Sequence, residues 1–368
     1  MLDTILHKAM SLRWSLYQKL ETDLHELRYF FWETTRLCNL NCIHCGSDCS
    51  KDHTVTGLGA EVVIDTFTKI AAAHDPAKIM VVMTGGEPLV RPDLFPILES
   101  IGQLGFKMGM VTNGYTLDAT MANRLARVGI TSIVVSLDGA KADHDWLRNR
   151  EGSYERATSA LRHLVAAGIP IVEAITCVTP RTAEHLEEIY EIVKGTGALY
   201  WRVFNIFPIG RAAHNEAVLL TPEQFVGVVK SMELLRARGK KEGMEVNLSE
   251  EGFLGWDHES KTRTTPYFCR AGVNIAGLMA DGTIAACPNL PAWMGQGNIL
   301  TDDFNEVWKH RYQIFRDRAW MGKGKCQGCD QFSVCQGNSL HVWDPDKEGP
   351  VWCHYDILHP NSGEPRDQ

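Results

Sequence analysis

The sequence has little of what membrane, secreted and nucleic-acid-binding proteins require. No run of about 18 apolar residues occurs, so no membrane-spanning helix is expected. The N-terminus, Met1 to Lys8, lacks the basic-then-apolar order of a secretory signal. Basic residues do not prevail: 37 Lys and Arg against 45 Asp and Glu leave a net charge of −8. That balance argues against a nucleic-acid partner, whose phosphates call for a basic stripe. Internal repeats and low-complexity tracts are absent too. What is left is an ordinary globular composition, 44% hydrophobic and 22% charged, on 368 residues, long enough for two domains with a sizeable core.

Cysteine, by contrast, is plentiful. Eleven cysteines in a chain without a signal read as metal thiolates in a reducing cytoplasm rather than as disulfides. Three of them, Cys38, Cys42 and Cys45, stand in the spacing C-x₃-C-x₂-C. Thiolates packed that tightly can hold three irons of a [4Fe–4S] cube and leave the fourth iron open to a small molecule. Structural zinc and ordinary ferredoxin sites take four ligands instead. The aromatic and β-branched stretch Leu27 to Thr35 precedes the triplet and reads as a buried strand. The cysteines therefore lie on the loop at a strand's carboxyl end, where α/β folds build their sites. A second apolar run, Ile79 to Met83, ends in Thr84-Gly85-Gly86-Glu87-Pro88. Paired glycines let the backbone approach a ligand closely, and Glu87 sets an acceptor beside them.

With triplet and Gly-Gly-Glu-Pro one βα unit apart, the chain resembles the radical S-adenosylmethionine (radical SAM) superfamily. The resemblance implies that Cys38, Cys42 and Cys45 bind the [4Fe–4S] cluster and that its open iron chelates S-adenosylmethionine. It implies that Gly85, Gly86, Glu87 and Pro88 receive the cofactor's amino group, and that His44 stacks on adenine where the family usually has an aromatic residue. Ser136 and Asp138, in Val134 to Gly139, match positions that hydrogen-bond the ribose. Arg148 either faces the cofactor carboxylate or is a solvated surface arginine. The family's partial (β/α)₆ barrel agrees with the alternating pattern of the chain. Helical stretches at Ala60–Ile70, Pro92–Leu104, Leu117–Val128, Tyr154–Ala167 and Ala183–Gly195 alternate with strands at Lys107–Val111, Ser132–Ser136, Ile171–Val178 and Tyr200–Phe207. The expected fold class is α/β, a TIM-like partial barrel with a small cysteine-rich Fe–S domain.

The expected layout is an N-terminal helical extension over 1–26, the barrel over 27–215, a bridging helix and linker over 216–265, and the auxiliary domain over 266–368. The extension reads as one or two helix turns packed on the barrel, too short for a leader-peptide-binding winged helix. Thr221 caps an amphipathic helix to Gly239, with Pro222 in its first position. The polar stretch Asn247–Arg263 reads as a flexible connection.

The last hundred residues carry Cys269, Cys287, Cys326, Cys329, Cys335 and Cys353. Cys269 and Cys287 flank a hairpin turning at Ala280-Asp281-Gly282, and the Gly282-x₄-Cys287 spacing and later cysteines resemble the SPASM extension of the superfamily. Cys326, Cys329, Cys335 and Cys353 then make one complete auxiliary ligand set, with structural zinc or a rubredoxin-like iron as the alternative. The inner set is short: Ser339 stands where the pattern has its next cysteine, and Ile275 near another. Either Ser339, Asn338, His341 or another atom completes it, or it is empty. The shorter twitch arrangement would join Cys269 and Cys287 to Cys326 and Cys329. At least one auxiliary cluster is implied, and at most two. Cys49 reads as loop packing and Cys177 as a core residue.

The resemblance implies an enzyme that reductively cleaves S-adenosylmethionine to a 5′-deoxyadenosyl radical and takes hydrogen from a substrate. It implies flavodoxin or ferredoxin as electron donor and an anaerobic or microaerobic setting. The expected substrate is a peptide or protein in a maturation reaction. A small molecule such as a tetrapyrrole side chain is the alternative, and a non-catalytic Fe–S electron carrier a third reading.

Overall fold

The computed structural model describes residues 2–249 and 252–360. A single helix, α1 (Leu2–Leu24), leads into β1 (Tyr29–Glu33), and after the cysteine loop strands and helices alternate. They are α2 (Ala60–Ala73), β2 (Met80–Thr84), α3 (Leu94–Gln103), β3 (Lys107–Thr112), α4 (Ala119–Arg127), β4 (Ile130–Ser136), α5 (Lys141–Arg148), α6 (Ser153–Ala166), β5 (Ile171–Val178), α7 (Leu186–Gly195) and β6 (Tyr200–Asn205). Then come α8 (Pro222–Glu242), β7 (Glu245–Leu248) and α9 (Trp256–Thr262). The C-terminal part holds β8 (Ile275–Leu278), β9 (Thr283–Ala285), β10 (Gly297–Asn298), α10 (Phe304–His310), α11 (Gln313–Arg316), α12 (Phe332–Cys335), β11 (Trp343–Asp344), β12 (Gly349–Pro350) and α13 (His354–Leu358).

Strands β1 to β7 pair in sequence order and in parallel. The sheet does not close. On the other edge of β1 it continues through β8, also parallel, and then antiparallel β9 and β10. The result is an open α/β sheet of ten strands, the partial barrel expected, with the C-terminal part built into the same sheet. Side chains alternate along β1 with a period of two. Phe30 and Trp32 face the helices and are buried, and Glu33 points to the opposite face, at the barrel mouth. Phe30 sits edge-on to Phe67 of α2 at 5.2 Å and to Phe304 of α10 at 5.1 Å. One phenylalanine thus binds a barrel helix and a C-terminal helix to the same strand.

Two expectations about the connections need correction. The described residues of Asn247–Arg263 are built into the fold: β7 extends the sheet through Val246 and Leu248, both buried against β6, and α9 follows; residues 250 and 251 lie outside the described residues. The polar alternation of a short edge strand hid β7. The N-terminal segment is one helix of 23 residues, and it packs on the C-terminal part. Trp14 Nε1 donates to the Tyr267 carbonyl at 2.9 Å, Gln18 Nε2 to Val334 at 3.0 Å and Ser15 Oγ to Ser333 at 2.9 Å. The bridging helix α8 does start as its signals suggest. Thr221 Oγ1 accepts from Gln224 N and Gln224 Oε1 from Thr221 N, a reciprocal capping box of the kind worth about 1 kcal/mol.

Phe30→Ala should cost about 3–5 kcal/mol, the usual loss for a buried aromatic. Because the ring touches helices of both halves, urea unfolding followed by tryptophan fluorescence and circular dichroism should show one transition at lower denaturant. Two separated transitions would mean that the halves unfold independently.

Candidate active site

The cysteine loop leaves β1 and is gripped on two sides by backbone. On one side Gly86 N donates to Thr35 O at 2.7 Å and Glu87 N to Leu37 O at 2.9 Å. A Cβ on Gly86 would fall 2.0 Å from Leu37 O, and one on Gly85, whose φ is +128°, 2.3 Å from Thr35 O. The two glycines are therefore demanded by the cysteine loop itself, a reason not anticipated from the sequence. On the other side Arg211 N donates to Cys45 O at 3.0 Å, and its guanidinium reaches Cys42 O at 2.7 Å, Cys49 O at 3.0 Å and Asp48 at 2.8 Å. Gly210, at φ +56°, lets that segment approach.

Within the grip, Cys38, Cys42 and Cys49 are buried and Cys45 partly so. Burial pushes the Cys38 thiol up to about 12 and raises Cys42, whereas hydrogen bonding from Cys49 pulls Cys45 down to about 6. Cys49 N also donates to Cys45 Sγ at 3.4 Å. Cys49 thus bonds to a triplet thiol, more than the loop packing read from sequence. His44 Nδ1 and Asn39 Nδ2 are buried with no hydrogen-bond partner among the described residues. Burial first, and then Arg148, lower the His44 ring to about 4, so it is neutral. Three soft sulfurs and two orphaned polar atoms at one strand end are the donor set that an Fe–S cluster with a polar, aromatic cofactor fits.

Glu87 is buried and stitches two loops together. Its Oε1 accepts from Thr112 Oγ1 at 2.8 Å and Leu89 N at 3.1 Å, and its Oε2 from Asn113 N at 2.8 Å. Burial raises its pKa despite these bonds. Pro88 follows it as the first residue of a 3₁₀ turn. Asn113 in turn reaches Asn39 Oδ1 at 2.8 Å, holding the residue next to Cys38. Ser136 ends β4 and is buried.

Asp138 and Arg148 form a buried pair: Arg148 Nε donates to Asp138 Oδ2 at 2.6 Å, and Arg148 Nη1 lies 3.7 Å from Cys42 Sγ. The solvated-surface alternative for Arg148 is excluded, since only 8% of it is exposed. The other Asp138 oxygen accepts from Cys177 N at 3.1 Å. Both oxygens are engaged by protein, and Asp138 orients Arg148. Burial pushes its carboxyl up, but Arg148, His144 and His44 outweigh this and hold it below the usual range. Cys177 packs in a small apolar cluster with Leu147 and Ile206. Its thiol also lies with His44 and Asp138 in a group whose candidate ligand atoms are all within 4.8 Å of one another. The β5 position gave no hint of that closeness.

Above the loop lies a cavity of about 330 Å³ between the barrel mouth and the β8–β9 hairpin. Glu33, Arg36, Asp48, Asp281, Met279 and Cys287 are among its walls. Arg36 bridges Glu33 at 3.3 Å and Asp281 at 3.8 Å, and Glu33 also accepts from Ala280 N at 2.9 Å. Sequence reading missed Glu33, Arg36 and Asp281, because their approach depends on β8 joining β1.

In the C-terminal part, Cys326, Cys329, Cys335 and Cys353 act on one another electrostatically. Burial and the neighbouring thiols push Cys326 up to about 11. Near the barrel the picture differs. Arg318 Nη2 donates to Cys269 Sγ at 3.2 Å. Ser339 Oγ meets His341 Nδ1 at 3.0 Å, and His341 Nε2 meets the carbonyl of Pro288, next to Cys287, at 2.8 Å. Both ring nitrogens of His341 are thus in use. Asn338 is tied as well, with Nδ2 donating to Trp352 O at 3.0 Å and Oδ1 near Cys335 Sγ at 3.3 Å. These hydrogen bonds join the 287–288 and 339–341 segments that a shared metal would otherwise bridge.

An open, largely parallel sheet with a cysteine triplet at one strand's carboxyl end, joined to a cysteine-rich C-terminal part, defines the class as an Fe–S enzyme. Comparison with known proteins gives the particular family. Residues 32–193 match the radical SAM superfamily and residues 269–330 the SPASM iron–sulfur cluster-binding domain. The chain belongs to the radical SAM superfamily and carries a SPASM-type auxiliary domain. It is 28% identical over 333 residues to the AdoMet-dependent heme synthase of Methanosarcina barkeri, covering 84% of this chain and 90% of that one. It is 28% identical over 317 residues to the mycofactocin maturase MftC of Mycobacterium tuberculosis, covering 84% and 77%. Among solved structures, native anSMEcpe with bound AdoMet superposes with a TM-score of 0.72 at 17% identity, over 91% of this chain and 95% of that one. Streptococcus suis SuiB bound to S-adenosylmethionine gives 0.71 at 16%, over 90% and 77%. The protein is accordingly an enzyme that uses a [4Fe–4S] cluster, S-adenosylmethionine and auxiliary Fe–S chemistry. Among the described residues no helix is long and apolar enough to cross a membrane.

Asp138→Asn should destabilise the fold by about 3–5 kcal/mol, because it leaves the buried Arg148 cation without its anion. The sign with pH follows from the depressed carboxyl. The pair's contribution is full above the unfolded carboxylate range near about 4 and is lost as pH falls through the lower folded value. Denaturation midpoints of both proteins between pH 7 and pH 3 check this, and the gap between them should close at the acid end.

Proposed function

We propose that this enzyme modifies a peptide or protein side chain held in the cavity above the cysteine loop. Cys38, Cys42 and Cys45 hold the radical SAM cluster, and the groove between the ends of β2, β3 and β4 takes S-adenosylmethionine. His44 lies against adenine, the Gly85–Pro88 backbone meets the amino group, and Arg148, aimed by Asp138, faces the carboxylate. When bound, cluster and cofactor supply one electron to a sulfonium and the 5′-deoxyadenosyl radical that takes hydrogen from the substrate. The chain's own task is to hold the substrate carbon near that groove and keep water out. Cys326, Cys329, Cys335 and Cys353 hold a single auxiliary cluster, and reduced flavodoxin or ferredoxin supplies electrons in a reducing cytoplasm.

The observation that carries the peptide reading is the cavity. About 330 Å³ is at the lower end for a small-molecule site, enough for one side chain and its flanks. Its walls set Glu33, Asp48 and Asp281 against Arg36, an excess of carboxylates that suits backbone amides and cationic or hydroxyl groups better than a macrocycle bearing carboxylates. The second reading, a tetrapyrrole side chain, rests on likeness along 90% of the length of a heme synthase.

The deciding experiment measures 5′-deoxyadenosine release under strict anaerobiosis, with reductant, S-adenosylmethionine and host extract split into peptide and small-molecule fractions. Stimulation by the peptide fraction is expected; stimulation by the small-molecule fraction alone would transfer the conclusion to the tetrapyrrole reading. Release should vanish in Cys38→Ala, and full activity in that variant would overturn the cluster assignment. Cys353→Ala should lower iron content while the electron paramagnetic resonance signal of the first cluster persists. Unchanged iron there would mean that the foursome is misassigned.

A further inference from the structure

Helix α1 is turned inside out relative to an ordinary surface helix. Its inner face is largely polar and hydrogen-bonded to the body, with Met10 and Trp14 packed against Phe253, Trp256 and their neighbours. Beyond the bonds from Trp14, Ser15 and Gln18 already given, Ser11 Oγ accepts from Trp256 Nε1 at 2.8 Å, Tyr17 OH from Arg270 at 3.0 Å and Glu21 from Arg270 at 3.3 Å. The outer face carries Ile5, Leu6, Leu12, Leu16, Leu20 and Leu24, each between 53% and 65% exposed. An amphipathic helix normally puts these two faces the other way round.

We infer that this face is a self-association surface, on which two copies pair through their α1 helices about a twofold axis near Leu12 and Leu16. Two observations select a second copy as the occupant. First, the area suits it. Six such side chains, more than half exposed, present roughly 600 Å² of apolar surface; that is at the top of what monomers show and near the ~800 Å² per partner of a standard interface. Second, Leu12, Leu16, Leu20 and Leu24 recur every fourth residue, a straight ridge of the kind that interlocks with an identical ridge. A twofold axis buries the same patch on both copies and leaves none over. The two bodies then lie on opposite sides of the helix pair, because each α1 is already docked through its inner face.

Light scattering after size exclusion, and sedimentation equilibrium over a hundredfold concentration range, test this on the full-length holoenzyme. The expected result is a dimer whose mass halves in the double variant Leu12→Glu/Leu16→Glu, with circular dichroism and iron content unchanged. A wild-type monomer throughout the range would overturn the inference, as would a dimer indifferent to the leucine substitutions. A monomer that binds vesicles of anionic lipid through the same leucines would reassign the face to a membrane surface.

Discussion

The rest of the site depends on one constraint: the cysteine loop has to be held by backbone atoms, because its side chains are reserved for metal. The loop meets this with main-chain hydrogen bonds from Gly86, Glu87 and Arg211 and with glycines where the chains almost touch. Glu87 passes the restraint on to β3 through Thr112 and Asn113, and Asn113 returns it to the residue beside Cys38. The backbone of the loop is therefore held without any help from its thiols. Burial keeps Cys38 and Cys42 protonated near neutrality, so loading a metal must expel protons.

Charge inside the groove is handled in the same economical way. A lone guanidinium near Cys42 would be costly to bury; Asp138 neutralises and aims it. In the C-terminal part the same logic meets the missing cysteines. Near Cys287, hydrogen bonds from His341 to Ser339 and to the Pro288 carbonyl tie the 287–288 and 339–341 segments together, and Arg318 is set against Cys269.

Much of this was legible in the sequence. Strong local signals, the apolar runs ending in Cys38 and in Gly85–Pro88, marked β1, β2 and the loops that matter. Thr221, Pro222 and Gln224 marked the start of α8 by chemistry that acts within four residues. Features that depend on distant partners were not legible. β7 is a strand only because the β6 edge pairs with it, and its own four residues carry too little hydrophobic signal. Glu33 and Asp281 meet only because β8 pairs with β1. That Asp138 holds Arg148 was not legible, because Arg148 lies on the following helix and the burial of the pair is a tertiary effect. The length of α1 was hidden by a helix whose leucines face outward, so that no core-facing stripe stood out.

The parallel pairing of β8 with β1 has a consequence for electron traffic. A domain hung on a hinge could swing, and the gap between its metal and the barrel's would then vary with time. Here three hydrogen-bonded strands on one side of that junction and seven on the other make one continuous lattice, and Phe30 pins helices of both halves to it. The hairpin that leads to Cys287 is thereby held at a fixed height above the cysteine loop, as a wire's length is fixed by its frame. An electron crossing between that hairpin and the barrel mouth would travel a distance set when the protein folds.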